Sequence, residues 1–298
     1  MDAEALRALV DGLAWARRLN VSGAAGLTFV VCDFVHTFPD EVRYMWPAPL
    51  GVPKVLFFAL RYYLIPHICI VLAFDFPLGL NPEQCKVAFT RALVSSALCV
   101  VLSEWILFIR VWAFSGRNRR VLAFLLFQAI GPLGAGITTV LVFFDRSATF
   151  ARLPFPNMPC IPERIINGYL SGGFAFVLWS VTSVNSIMIY LAFCRHREWK
   201  TSLFYVFYRD GVFYMVLMSV LALLNIIINV SGAQNLKWAF TQVEVLSHGV
   251  LATRMLLHLR QTTKHDRMTA TERRDQFPST IEFSTRLTQG KASSWTVS

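Results

Sequence analysis

Apolar residues along this chain come in long unbroken runs separated by short polar connections, with neither the alternation of a half-buried strand nor the one-sided stripe of a surface helix. Seven such runs extend from Val21 to Phe38, Pro53 to Phe74, Val87 to Phe114, Val121 to Phe144, Gly168 to Cys194, Tyr208 to Val230 and Leu236 to Leu257. At about 1.5 Å per residue, runs of this length suit a hydrocarbon layer about 30 Å thick. In lipid only helices and closed barrels satisfy their own backbone, and runs without alternation are helices. The pattern predicts an all-α fold, a seven-transmembrane helix bundle over residues 21–260. An extracellular segment, residues 1–20, precedes it, and a disordered cytoplasmic tail, residues 261–298, follows.

Composition excludes the soluble alternative. The chain is 55% hydrophobic and 15% charged, against about 25% charged in ordinary soluble domains, too little polar side chain to coat a globule of this length. Asp2 and Glu4 stand where a secretory signal carries basic residues, so the first apolar run is expected to act as a signal anchor. From Gln261 onward the chain is polar, with thirteen Ser or Thr, as a disordered tail requires.

Charge sets the orientation. With seven spans, the connections on the side of the C-terminal tail hold fifteen Lys and Arg, against eight on the side of the N-terminus. By the positive-inside rule the N-terminus is outside and the tail is cytoplasmic. The net charge of +10 then reads as flanking charge for anionic inner-leaflet lipid, and not as a nucleic-acid surface. The sequons at Asn20 and Asn229 fall on the outer side as possible glycosylation sites. Cys85 and Cys160 lie in two outer connections, where disulfides persist, and are expected to pair.

Charges inside the runs are the candidate chemistry, because each costs a few kcal/mol on insertion scales and needs a partner. Counted along the helices, Asp33, Arg61 and Glu104 lie about 8, 12 and 15 Å from the inner ends of theirs. They are predicted to form one cluster, with Arg110 and Arg254 below it. Arg91 and Glu244, in the outer half, form a candidate second pair. Such a cluster serves as a structural ion pair, a conformational lock or an ion path. The Gly131–Gly136 stretch predicts a kinked, closely packed fourth helix.

Catalytic constellations are lacking in the sequence. The six histidines are scattered and no HExxH is present, so neither metal nor cofactor is expected. Lys237 at the mouth of the last run is no mid-membrane lysine for a retinal Schiff base, and there is no nucleotide loop or serine elbow. An enzyme is not expected.

The stretch from Phe29 to Leu64 resembles an uncharacterised family of fungal, chiefly basidiomycete, seven-helix membrane proteins defined by a short N-terminal domain of unknown function. The matching positions are Asp33, Thr37, Glu41, Val42, Trp46, Lys54, Phe57, Arg61 and Tyr62. The ends of the third and seventh runs, Ile106 to Phe114 and Thr253 to Arg260, also look similar to that family. This resemblance implies a multi-pass membrane location and no particular activity. In architecture the chain also resembles G-protein-coupled receptors: an outer N-terminus, a cysteine heading the third helix with a partner in the next outer loop, and Arg110 at that helix's inner end. It departs from the largest class of them where Ile109 and Val111 flank Arg110 and where the last run lacks proline.

The sequence therefore points to a receptor-like protein of the plasma membrane that senses an extracellular or lipid-soluble ligand and couples to a partner such as a heterotrimeric G protein. A transporter or channel using Asp33, Arg61 and Glu104 is the alternative.

Overall fold

The structure, a computed structural model, describes residues 3–76, 80–142, 148–150, 160, 162–165, 167–196, 202–231 and 234–276. Among them are seven helices: α1 (Ala3–Tyr44), α2 (Val52–Asp75), α3 (Pro82–Phe114), α4 (Arg119–Val142), α5 (Asn167–His196), α6 (Ser202–Ser231) and α7 (Gln234–Gln276). Between α4 and α5 two short strands, β1 (Ala148–Phe150) and β2 (Pro162–Ile165), pair antiparallel with Ala148 opposite Ile165.

Local chemistry sets the helix ends. α3 begins at Pro82, whose missing N–H is an orphan at that position anyway, and the Asn81 N–H donates to Gln84 Oε1 at 3.0 Å. It ends in paired reverse bonds, Arg117 N–H to Trp112 O at 3.0 Å and Gly116 N–H to Ala113 O at 3.2 Å. That closure needs left-handed backbone at Gly116 (φ 73°), which glycine adopts without penalty. The Asn118 side chain then starts α4 by accepting the Arg120 N–H at 2.9 Å.

α1 and α7 outrun their predicted ends the furthest. α1 continues through Pro39, past the expected end of the first span at Phe38, as far as Tyr44. A proline removes only its own N–H from the ladder, and the following turn is held by Met45 N–H to Glu41 O at 2.8 Å. At its other end α1 absorbs most of the expected N-terminal segment. Ala16 and Leu19 are buried in the same apolar cluster as Leu64 and Val71 of α2 and Val250 of α7, so packing holds the helix on the N-terminal side of the expected span. α7 likewise takes in residues 261–276 of the expected tail, where Thr262 and Thr263 hydroxyls bond back to His258 and Leu259 carbonyls and Lys264 lies 5.4 Å from the Tyr44 ring centre. The expected disorder of residues 277–298 lies outside the described residues.

The interior has two apolar layers. One joins α1, α2, α3 and α7 around Val30, Ile68, Phe89 and Val250, and includes Cys85 and Cys160. The other joins α2 to α7 around Phe57, Leu107, Val184 and Met255. Glycines let helices close on one another: a methyl group on Gly249 of α7 would stand 2.8 Å from Leu64 of α2. In α4, Gly131 packs against Phe176, but an added Cβ at Gly134 would meet nothing within 4 Å. The close packing expected of that stretch therefore holds at Gly131 and not at Gly134.

The outer surface is also apolar. Phe127, Trp179, Ile130 and Tyr190 are 64–75% exposed, which water would penalise and lipid accommodates. Three helical stretches, Gly12–Tyr44, Val52–Asp75 and Pro82–Phe114, are long and apolar enough to cross a bilayer, with shorter apolar stretches at Ala175–Leu191 and Val216–Ile228. The chain is a membrane protein.

Candidate functional site

Helical spacing on α1 builds the site. Asp33, Thr37 and Glu41 stand four residues apart and so share one face. That face meets Arg61 of α2, whose guanidinium is used on every side. Its Nε donates to Glu41 Oε2, and its Nη2 donates to Thr37 Oγ1 at 2.7 Å and to the Phe34 carbonyl at 3.1 Å. Its Nη1 stands 3.6 Å from Asp33 Oδ2. The rings of Phe34 and Phe57 cover it at 4.8 and 5.8 Å.

Glu41 is saturated as well. Its second oxygen accepts from Tyr62 Oη at 2.9 Å and from Trp46 Nε1 at 3.2 Å. The loop after α1 is drawn in by Lys54, whose Nζ donates to the carbonyls of Trp46 and Ala48 at 2.7 and 2.6 Å. From α7, Arg254 Nε donates to Asp33 Oδ1. Arg61, Asp33 and Glu41 are at most 5% exposed, whereas Arg254 is 40% exposed. Two arginines and two carboxylates thus form a neutral chain across three helices, the arrangement in which mutual attraction and hydrogen bonds offset the cost of burying charge.

The sequence placed Asp33 and Arg61 in one zone with Arg254 below it, but left out Glu41, which fell in the connection after the apolar run ending at Phe38. The four-residue spacing from Asp33 through Thr37 was the signal that could have found it. Glu104 does not meet Arg61. It is buried facing α5, where its Oε2 accepts from Ser180 Oγ at 3.0 Å. Depth along a helix fixes a residue's level but not the direction it faces, and Glu104 points to a different seam. Arg110 is buried on α3 and is no member of the Asp33 chain.

The outer pair does not form either. Arg91 is exposed on the stripe Val87, Arg91, Val94, Leu98, whose three apolar members are 41–45% exposed, so it points away from the bundle. Glu244 accepts instead from Asn225 Nδ2 of α6. Asn20 and Asn229 lie inside α1 and α6 and not in loops. Cys85 and Cys160 are joined, with Cα atoms 5.7 Å apart, tying the start of α3 to the β1–β2 connection.

Further polar contacts stitch the remaining seams. His67 Nδ1 and Tyr63 Oη meet Ser95 Oγ of α3 at 2.9 and 3.0 Å, and Gln128 of α4 donates to Ser180 O and Ser183 Oγ of α5 at 3.0 and 2.7 Å. Among the described residues no three His, Cys, Asp or Glu side chains converge as metal ligands. The Asp33 chain offers an electrostatic tie between helices.

No curated protein matches this chain. Residues 21–66 do match a family profile, and they contain every member of the network except Arg254. That segment, the part of α1 from Val21 onward together with the first turns of α2, is the one described as a family of unknown function (DUF6533).

Proposed function

We propose that the protein is a receptor-like seven-helix bundle of the plasma membrane, with its N-terminus outside, in which the Asp33 chain is a conformational lock. The observation that carries this reading is the unequal burial of the two arginines on Asp33. Arg61 is sealed between α1 and α2, while Arg254 reaches the same carboxylate from a half-exposed position on α7. The half-exposed side of the tie opens at lower cost than the sealed one, and its opening frees the inner end of α7 while α1 and α2 stay joined.

An ion path is less well supported. Arg61 is packed between the Phe34 and Phe57 rings, and Glu104, which would continue the path, faces α5. The extension of α7 to Gln276, carrying Arg260, Lys264, Arg267, Arg273 and Arg274, supplies a basic helix for anionic inner-leaflet lipid or a cytosolic partner.

The test is guanine-nucleotide exchange on co-expressed heterotrimeric G-protein α subunits, wild type against Arg254→Gln. The lock predicts ligand-free exchange raised about fivefold, the factor that ~1 kcal/mol gives. Unchanged exchange in a folded variant, with substrate flux into vesicles, would replace the receptor reading by the transporter.

A further inference from the structure

Glu104 of α3 is a buried carboxyl outside the ion-pair chain, 2% exposed and sparsely hydrogen-bonded. Its Oε2 accepts from Ser180 Oγ of α5 at 3.0 Å, and its Oε1 has no hydrogen-bond partner among the described residues. A second oxygen of the same seam, Gln128 Oε1 of α4, is also buried without a donor. Both side chains are tied to Ser180: Glu104 to its hydroxyl, and Gln128 to its carbonyl, to which Gln128 Nε2 donates at 3.0 Å. Their neighbours along the three helices, Leu107, Phe108, Leu125, Ala129, Val181 and Val184, are buried in one apolar layer.

An ionised carboxylate at this depth needs a cation or several donors, and Glu104 has one hydroxyl. The charged and titratable groups on the helices packed against α3 are engaged elsewhere or lie apart from it. On α2, Arg61 meets Asp33 and Glu41, Lys54 bonds the Trp46 and Ala48 carbonyls, and Tyr63 and His67 meet Ser95, nine residues before Glu104. On α7, Arg254 meets Asp33, Glu244 meets Asn225, and His248 is buried with neither ring nitrogen hydrogen-bonded. Arg119 and Arg120 are exposed at the start of α4, and Tyr190 is exposed on α5. On α3 itself Arg110 is six residues further on, about two-thirds of a turn around the axis. Among the described residues no Lys, Arg or His forms an ion pair with Glu104.

We infer that Glu104 is a proton-binding site, held between α3 and α5 as the neutral acid, with the proton on Oε1 and the Ser180 hydroxyl on the carbonyl oxygen Oε2. A proton there gives the seam the donor that its two unpaired oxygens lack. Release breaks the O–H bond, leaves the electron pair on the carboxylate and passes the proton to water. Water reaches the acid only where α5 parts from α3, so proton release and opening of the seam are one event. The neutral form belongs to the packed seam, and a rise in pH therefore favours the open one. The site goes beyond the receptor reading and does not depend on the tie at Asp33.

Infrared spectra of the full chain in phosphatidylcholine nanodiscs should contain the C=O stretch of a protonated carboxyl. Glu104→Gln should lose that intensity, and Ser180→Ala, which removes the one hydrogen bond to Oε2, should move it to higher frequency. Dicyclohexylcarbodiimide, an apolar reagent to which a protonated carboxyl adds to give an N-acylurea, should label the peptide containing Glu104, in a yield that falls as the pH is raised. It should spare Asp33 and Glu41, which arginines hold ionised. Labelling uses the unaltered chain, and so decides the matter if Glu104→Gln fails to fold. A folded Glu104→Gln with the acid band undiminished would overturn the proposal, as would a band unmoved in Ser180→Ala, or label on Asp33 and Glu41 with none on Glu104.

Discussion

Asp33 of α1 is shared by two arginines from different helices: Arg61 of α2 lies 3.6 Å from one of its oxygens, and Arg254 of α7 donates to the other. One carboxylate thus joins a sealed contact to an accessible one.

The two halves should differ in stability cost. Removing one partner of a buried ion pair leaves a charge uncompensated, so Arg61→Met should cost about 3–5 kcal/mol. Arg254→Gln, at the exposed half, should cost no more than about 1 kcal/mol. Thermal unfolding in detergent compares them, and equal losses would count against the asymmetry.

Glycine contacts give an internally controlled pair. Gly249→Ala would place its methyl group 2.8 Å from Leu64, and should cost about 1–3 kcal/mol by overpacking the α2–α7 seam. Gly134→Ala meets nothing within 4 Å, and should stabilise α4 by up to about 1 kcal/mol. The sign of the change in unfolding midpoint separates them.

Cys85 and Cys160, 75 residues apart, should resist alkylation until reduced. Cys85→Ser should lower stability by about 2–5 kcal/mol, and mass spectrometry of alkylated peptides with and without reductant checks the pairing.

Arg91 faces away from the bundle among Val87, Val94 and Leu98. Arg91→Leu should therefore leave the folded protein within about 0.5 kcal/mol of wild type. Glu244→Leu removes a buried acceptor of Asn225, and should cost about 1–3 kcal/mol. Thermal midpoints of the two variants compare them, and equal losses would count against this assignment.

The sequence made levels legible but not directions. Hydropathy located the helices, and the rise per residue put Asp33 and Arg61 at matching depth. Neither says which way a side chain faces, so Glu104 was assigned to Arg61 when it bonds Ser180, and Arg91 was assigned inward when it lies outward. Glu41 was missed because the apolar run ends at Phe38, and the packed end of α1 carries the helix past it through contacts to Arg61, Tyr62 and Trp46. Of the nine positions on which the resemblance over residues 29–64 rested, all but Val42 take part in the network or in the loop it holds.

The lock is tested most directly by the distance between nitroxide labels at Val42 of α1 and Gln261 of α7, exposed positions on either side of the tie. Wild type should give one narrow distance distribution, and Arg254→Gln should add a longer component as the inner end of α7 is released. Identical distributions in the two folded proteins would contradict a lock at Asp33.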